Sequence, residues 1–101
     1  MGDEEASAAK AREIARAILR YLETYPAAKD TLRGIAQWWL WPELPEQRLE
    51  DVERAVATLL SERLILETRR QGLPPYYGAN PQRRKVISRI LSRLEGHLPR
   101  E

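Results

Sequence analysis

The chain has 101 residues, of which 43% are hydrophobic and 32% are charged, and its formal net charge is +2. This length suits one globular domain and leaves no room for a second core. No apolar run approaches the roughly 20 residues that span a bilayer, which excludes a membrane-spanning helix. The N-terminus lacks the basic and apolar regions of a signal peptide, so we expect a cytoplasmic location.

Cysteine and histidine usage excludes further classes of protein. The chain has no cysteine and a single histidine, His97. Disulfides and thiolate metal sites are therefore excluded, and one imidazole cannot form the ligand cluster of a zinc or haem site. The sequence also contains no nucleophile and base pair and no phosphate-binding loop. We expect no enzymatic activity, no cofactor and no metal.

The charges are segregated along the chain. Residues 1–41 carry six basic and six acidic side chains, residues 42–68 carry three and seven, and residues 69–101 carry eight and two. The middle of the chain is therefore acidic and its C-terminal third is basic, and such segregation of charge can drive head-to-tail or partner docking.

Hydrophobic periodicity predicts two helices in the first half of the chain. Apolar residues recur every three or four positions from about Ser7 to Thr24, and Pro26 ends this helix. Its apolar stripe is broad, which predicts two packing neighbours, either within the domain or across a dimer. Asp30 is the expected N-cap of a second helix that runs to about Leu40.

A third helix, a hairpin and a last helix follow. The third helix is expected to open near Pro45 and to end near Glu62. A strand then begins at Leu64, the tip of a hairpin contains Gly72, Pro74 and Pro75, and a second strand returns through Tyr76 and Tyr77. Asn80 and Pro81 are expected to cap and open the last helix, which Gly96 ends.

The segment from Val52 to Ile65 resembles the recognition helix and first wing strand of bacterial winged-helix regulators of the MarR and ArsR type, with Arg63 where those families usually have glycine. The segment from Tyr76 to Pro81 is similar to their returning wing strand and next helix start. The resemblance implies a mainly α fold with a small β-hairpin, a winged helix-turn-helix in the order α-α-α-β-β-α. Residues 10–96 would form this domain, between a flexible tail of residues 1–9 and a tail of residues 97–101.

The same resemblance implies binding to double-stranded DNA, with the third helix in the major groove and the wing on the phosphates. Candidate DNA-binding residues on the helix and wing are Gln47, Arg48, Arg54, Thr58, Arg69 and Arg70. The two wing arginines could instead form a charged edge that prevents aggregation. In the last helix, a cationic stripe without nearby acids suggests nucleic acid or an acidic subunit as partner: Lys85, Arg89 and Arg93. The first hypothesis is therefore a transcriptional regulator that can dimerise through its first and last helices.

Two acids on the third helix argue against DNA binding. Glu50 and Asp51 are expected on its outward face, where DNA would repel them unless they pair with a base or with Arg54. Alternatively, they simply complement the helix dipole on a solvated face. The second hypothesis is thus a winged-helix module for protein interaction or assembly that does not bind DNA.

Aromatic residues supply candidates for that second hypothesis. Trp39 is expected in the core, Trp38 is expected to pack at the edge of the core, and the role of Trp41 stays open. One of the two adjacent tyrosines of the returning strand should be buried and the other exposed. The candidate protein-interface residues are Trp38, Trp41 and Leu19.

Overall fold

The computed structural model describes residues 2–41, 43–45 and 47–95. It is mainly helical with a small antiparallel sheet, and none of the described helices combines the length and apolarity needed to cross a bilayer. The elements in chain order are α1 (Gly2–Thr24), β1 (Lys29–Asp30), α2 (Leu32–Gly34) continuing as a π-helix (Ile35–Trp39), α3 (Leu49–Ser61), β2 (Ile65–Thr68), β3 (Tyr76–Ala79), a 3-10 turn (Pro81–Arg83) and α4 (Arg84–Glu95).

Helix α1 occupies the centre of the fold and packs against both α3 and α4. Its side chains Ile14, Ile18 and Leu22 are fully buried, which accounts for the broad apolar stripe. The second neighbour predicted for this helix therefore lies within the domain. Helix α1 begins at Gly2, well before the predicted start near Ser7, so the expected tail is helical from that point onwards.

The sheet has three strands in the order β1, β3, β2, and both pairings are antiparallel. The predicted hairpin is confirmed, with Ile65 opposite Ala79 at its base and Thr68 opposite Tyr76 near its tip. In β3, Tyr77 is buried and Tyr76 is exposed, as the alternation of strand side chains predicts. Strand β1 was not predicted from the sequence. Its two residues are too few to show hydrophobic alternation, and the strand is defined only by its pairing with β3.

Thr31, not Asp30, is the N-cap of α2. The Thr31 hydroxyl accepts a hydrogen bond from the Gly34 amide at 3.2 Å, which satisfies a free amide of the first turn. The Asp30 carboxylate instead accepts a hydrogen bond from the Thr31 amide at 2.8 Å. The predicted cap is wrong by one residue, and Asp30 stabilises the turn that precedes the helix.

Helix α3 begins at Leu49 rather than near Pro45, because its first backbone hydrogen bonds, from the amides of Asp51 and Val52, both reach the Arg48 carbonyl. Its predicted end near Glu62 is confirmed. The last helical residue is Ser61.

The end of α3 closes in a Schellman motif. Arg63 has a φ of 61°, in the left-handed region. Its amide donates to the Leu60 carbonyl at 3.0 Å, and the Leu64 amide donates to the Leu59 carbonyl at 3.0 Å. Leu59 and Leu64 are both buried, which supplies the apolar contact that accompanies this motif. Arg63 thus occupies a backbone conformation that favours glycine.

We expect Arg63→Gly to raise the free energy of unfolding by about 0.5–1 kcal/mol, because glycine adopts the left-handed conformation without the steric cost of a Cβ. Arg63→Ala is the matched control, since it removes the same charge and keeps the Cβ. Urea denaturation monitored by tryptophan fluorescence measures both. A gain in the alanine variant equal to that in the glycine variant would assign the effect to charge and contradict the backbone argument.

Asn80 connects the end of α3 to the start of the last helix. Its side-chain oxygen accepts a hydrogen bond from the Gln82 amide at 3.1 Å, and its side-chain nitrogen donates to the Arg63 carbonyl at 2.8 Å. The predicted cap at Asn80 with proline in the first turn is confirmed. Gly96, expected to end the last helix, lies outside the described residues, as do His97 and the predicted tail of residues 97–101.

Candidate functional site

The π-helix directs Trp38 into solvent. The Leu40 amide donates to the Ile35 carbonyl at 3.1 Å, five residues earlier, which adds one residue to the turn. This spacing buries Ile35, Trp39 and Leu40 together in the core and leaves 67% of Trp38 exposed. The expectation that Trp38 packs at the edge of the core is therefore wrong.

Trp41 is also exposed, at 59%, on the turn that follows the π-helix. This turn is held at two points: the Leu44 amide donates to the Leu40 carbonyl at 2.6 Å, and Glu43 forms an ion pair with Arg20 of α1. We call Trp38 and Trp41 the tryptophan surface. It places two large indoles in solvent on a constrained segment of the chain.

The third interface candidate, Leu19, and the neighbour of Trp38, Trp39, both lie inside the fold. Trp39 is buried, as predicted, and stacks on Tyr21 of α1 with ring centroids 4.8 Å apart and an angle of 13° between the planes. Leu19 is only 3% exposed, because it belongs to the face of α1 that the domain itself covers. Its predicted assignment to an interface is therefore wrong, and Leu19 is a core residue.

Acids of the same chain compensate two of the cations proposed to contact DNA. Arg48 donates a hydrogen bond to the Glu50 carboxylate at 2.9 Å, and this bond, with the nearby negative charges, raises the pKa of its guanidinium. At the wing, Arg69 pairs with Glu67 at 3.2 Å. The Arg48 pair is exposed and the Arg69 pair is partly exposed, so each contributes little to stability. Their effect is to reduce the positive potential beside α3.

Asp51 does not point outward. It is only 7% exposed, accepts a hydrogen bond from the Ser7 hydroxyl of α1 at 3.1 Å and lies 3.8 Å from Arg48. The guanidinium of Arg54 donates to the same hydroxyl at 2.9 Å. The predicted outward face with two acids is thus wrong, because the N-terminal part of α1 covers Asp51. Glu50 alone of that pair is exposed.

The other helix and wing candidates differ in their surroundings. The Thr58 hydroxyl donates to the Arg54 carbonyl at 3.2 Å, and the Gln47 amide donates to the Pro45 carbonyl at 3.0 Å. Arg70 is exposed at the turn of the hairpin and forms no ion pair with any residue that the structure describes. Of the candidate cations near α3, Arg70 is therefore the one most available to a phosphate.

The cationic stripe of the last helix is on the surface. Lys85, Arg89 and Arg93 are all exposed on α4, on the side away from the core residues Ile87 and Leu91. Sequence reasoning missed two neighbours that extend the stripe, Arg84 and Ser88. They lie four residues apart in the adjacent row of the same helix surface.

Sequence reasoning also missed a small groove of about 260 Å³ between α2, the start of α3 and the wing. Its lining is mostly apolar and comes from three separate segments, which no local pattern connects. The lining residues are Thr31, Leu32, Arg33, Leu49, Pro74, Pro75 and Tyr77.

Tyr77 at the edge of this groove makes stability depend on pH. Its hydroxyl donates to the Glu67 carboxylate at 3.2 Å, and burial together with this hydrogen bond raises the pKa of the phenol above its usual value of about 10. The folded state then holds the phenolic proton more tightly than the unfolded state. The stability contributed by Tyr77 is fully present below the unfolded pKa and is lost as pH rises through the folded pKa.

We therefore expect the free energy of unfolding to fall more steeply above pH 10 for the native chain than for Tyr77→Phe. Near pH 8 the variant should be less stable by about 1 kcal/mol, the usual contribution of one hydrogen bond. Urea denaturation from pH 8 to 11.5 measures both curves, which should converge as pH rises. Parallel curves would show that Tyr77 does not titrate with folding.

Comparison of the chain with protein-family models, with curated proteins and with solved structures finds no match. The chemistry of its surfaces is therefore the guide to function. Two of those surfaces are distinct in character: the tryptophan surface is aromatic and constrained, and the exposed side of α4 is cationic. The surface of α3 and the wing mixes both signs of charge.

Proposed function

We propose that this chain is a winged-helix module that docks on another protein through the tryptophan surface. The observation that carries the proposal is the exposure of Trp38 and Trp41 on a segment held by the core and by the Arg20 ion pair. Protein interfaces concentrate their binding free energy in a few residues, among which tryptophan is strongly enriched.

The local structure supports this role in two ways. The turn that carries Trp41 is already constrained, so binding would cost little additional conformational entropy. The π-helix that exposes Trp38 is a rare feature that is frequent at functional sites. Both constraints are expected of a binding surface, and neither is needed to leave an indole in solvent.

The order of elements supports the winged-helix assignment. A hairpin follows α3 directly, β1 lies between α1 and α2, and the returning strand pairs with both other strands. In this assignment α3 is the counterpart of a recognition helix and the segment from Arg69 to Pro75 is the wing. Charge compensation at Arg48 and Arg69 favours a protein partner over base readout at this surface.

Binding of double-stranded DNA by α3 and the wing, as in a transcriptional regulator, is the second candidate function. The exposed Arg70 favours it, because this cation has no ion pair with a described residue and can reach a phosphate. Electrophoretic mobility shift on duplex DNA at low salt tests this candidate. Loss of the shift in Arg69→Glu/Arg70→Glu is the expected result if the wing contacts the backbone.

The proposed protein interaction is tested by capture followed by reconstitution. The chain and the variant Trp38→Ser/Trp41→Ser are immobilised and exposed to lysate of the cells in which the chain naturally occurs. A protein that binds only the native chain is purified, and its dissociation constant is measured with both forms. We expect saturable binding to the native chain and a loss of at least 30-fold in the double variant, since one such residue contributes about 2 kcal/mol or more.

The matched control is Leu66→Ser/Leu73→Ser, which removes two apolar side chains that are also exposed but belong to the hairpin and the wing tip. This control should retain the partner. Equal loss in both double variants would indicate nonspecific adhesion of apolar surface and contradict the proposal. Thermal midpoints of all three proteins establish that each is folded.

A further inference from the structure

The exposed side of α4 is a continuous polar and cationic face. Along it, five side chains reach solvent: Arg84, Lys85, Ser88, Arg89 and Arg93. On the opposite side of the helix, Val86, Ile87, Ile90 and Leu91 pack against the core. An open groove of about 680 Å³ runs over the first part of this face. The groove is lined by Pro81, Gln82, Arg84, Lys85, Ser88 and Arg89.

The cations of this face are not paired with acids among the residues that the structure describes. None of Arg84, Lys85, Arg89 and Arg93 forms an ion pair with a residue in the described part of the chain. One acid does lie at this face: Glu23 of α1, whose carboxylate accepts a hydrogen bond from Ser88 at 2.9 Å. Like charges four residues apart destabilise a helix, so the arrangement does not serve the helix itself.

We propose that this face of α4 binds the phosphate backbone of a nucleic-acid duplex. Residues four apart on a helix are separated by about 6 Å along its axis, so the stripe from Lys85 to Arg93 spans about 12 Å. A duplex presents a phosphate charge about every 1.7 Å of its axis and can face all three cations at once. Arginine forks bind phosphate oxygens in pairs, and the side-chain amide of Gln82 adds a neutral contact.

The composition of this face favours a nucleic-acid duplex over a protein or a single strand as its partner. A protein interface needs an apolar centre, and the exposed row from Arg84 to Arg93 contains none. A single strand is bound by stacking its bases on aromatic rings, and this row has no aromatic residue. Interfaces with duplexes are polar and strongly cationic, as this face is. Binding should therefore be independent of base sequence, and it does not rest on the tryptophan surface.

The test is fluorescence anisotropy of a labelled duplex of mixed sequence, as DNA and as RNA, titrated with the full chain at several salt concentrations. With three phosphates neutralised, affinity should fall roughly 40-fold between 50 and 200 mM salt. Lys85→Gln/Arg89→Gln/Arg93→Gln should lower affinity at least tenfold and reduce the salt slope by about three. The DNA and RNA arms establish which duplex is preferred.

The matched control is Arg33→Gln/Arg69→Gln/Arg70→Gln, which removes the same charge from exposed positions near α2 and the wing. It should change affinity and salt slope by much less than the α4 variant. An equal or larger loss in this control would move the binding surface to α3 and the wing and overturn the proposal. The proposal is also overturned if the native chain binds neither duplex, or if the α4 variant binds as well as the native chain while remaining folded.

Discussion

Trp39→Ala is expected to lower the free energy of unfolding by about 3–5 kcal/mol, the usual cost of truncating a buried aromatic side chain to alanine. Trp39 lies in the core beside Ile35 and Leu40 and stacks on Tyr21, so alanine would leave a cavity where α1 meets the π-helix. A domain of this size has a total stability of about 5–15 kcal/mol. The variant should therefore lose a large fraction of its stability and unfold at a clearly lower urea concentration than the native chain.

The adjacent Trp38 provides an internal control. Because its side chain is mostly in solvent, Trp38→Ala should change the free energy of unfolding by less than about 0.5 kcal/mol. Urea denaturation followed by far-ultraviolet circular dichroism measures both variants without depending on the indoles removed. Equal losses of unfolding free energy in the two variants would contradict the conclusion that Trp39 stabilises the core and that Trp38 does not.

Gly34→Ala is expected to destabilise the chain by about 1–3 kcal/mol, although Gly34 has helical backbone angles. A Cβ at Gly34 would lie 1.8 Å from the nearest Asp30 carboxylate oxygen. That oxygen accepts the hydrogen bond from Thr31, so displacing the Asp30 side chain also disrupts the turn before α2.

The sign of this effect should reverse when Asp30 is absent. In an Asp30→Ala background the space beside Gly34 is free, and alanine in a helix is favoured over glycine by about 1 kcal/mol. Gly34→Ala should then stabilise the chain, and a double-mutant cycle from urea denaturation measures the coupling. Additive effects of the two substitutions would show that the contact between residues 30 and 34 is unimportant.

Local signals in the sequence predicted some features of the elements and missed others, such as the starts of α1 and α3. The end of α3 near Glu62, the Asn80 cap and the alternation of Tyr76 and Tyr77 each depend on a few neighbouring residues. Helix caps and strand alternation are set by backbone hydrogen bonds and side-chain direction over such short distances. These features follow from the sequence because their physical causes are contained within it.

The exposure of Trp38 could not be predicted in the same way. An α-helical period of 3.6 residues places Trp38 near the apolar face, and the π-helix changes that spacing. The additional residue is accommodated because Ile35, Trp39 and Leu40 all pack into a core formed with α1. The cause is tertiary packing, which a single helical pattern does not contain.

Asp51 shows the same limit for charge. Its place in the first turn of α3 suggests a solvated acid that complements the helix dipole. The side chain that covers it, Ser7, lies 44 residues earlier, on a part of α1 that was expected to be a tail or the beginning of the helix. A contact over that distance in sequence leaves no local pattern, so the acidity of α3 was overestimated.

If Trp38 and Trp41 contact a protein partner, as we propose, site-specific photo-crosslinking in cells will attach that partner to these two positions. A benzoylphenylalanine is placed at position 38 or 41, and at Thr58 or Arg70 as controls on the exposed surfaces of α3 and the wing. We expect adducts of one defined mass, identified by mass spectrometry as a single protein, from positions 38 and 41 only. Adducts confined to positions 58 and 70, or adducts with DNA alone, would contradict the account.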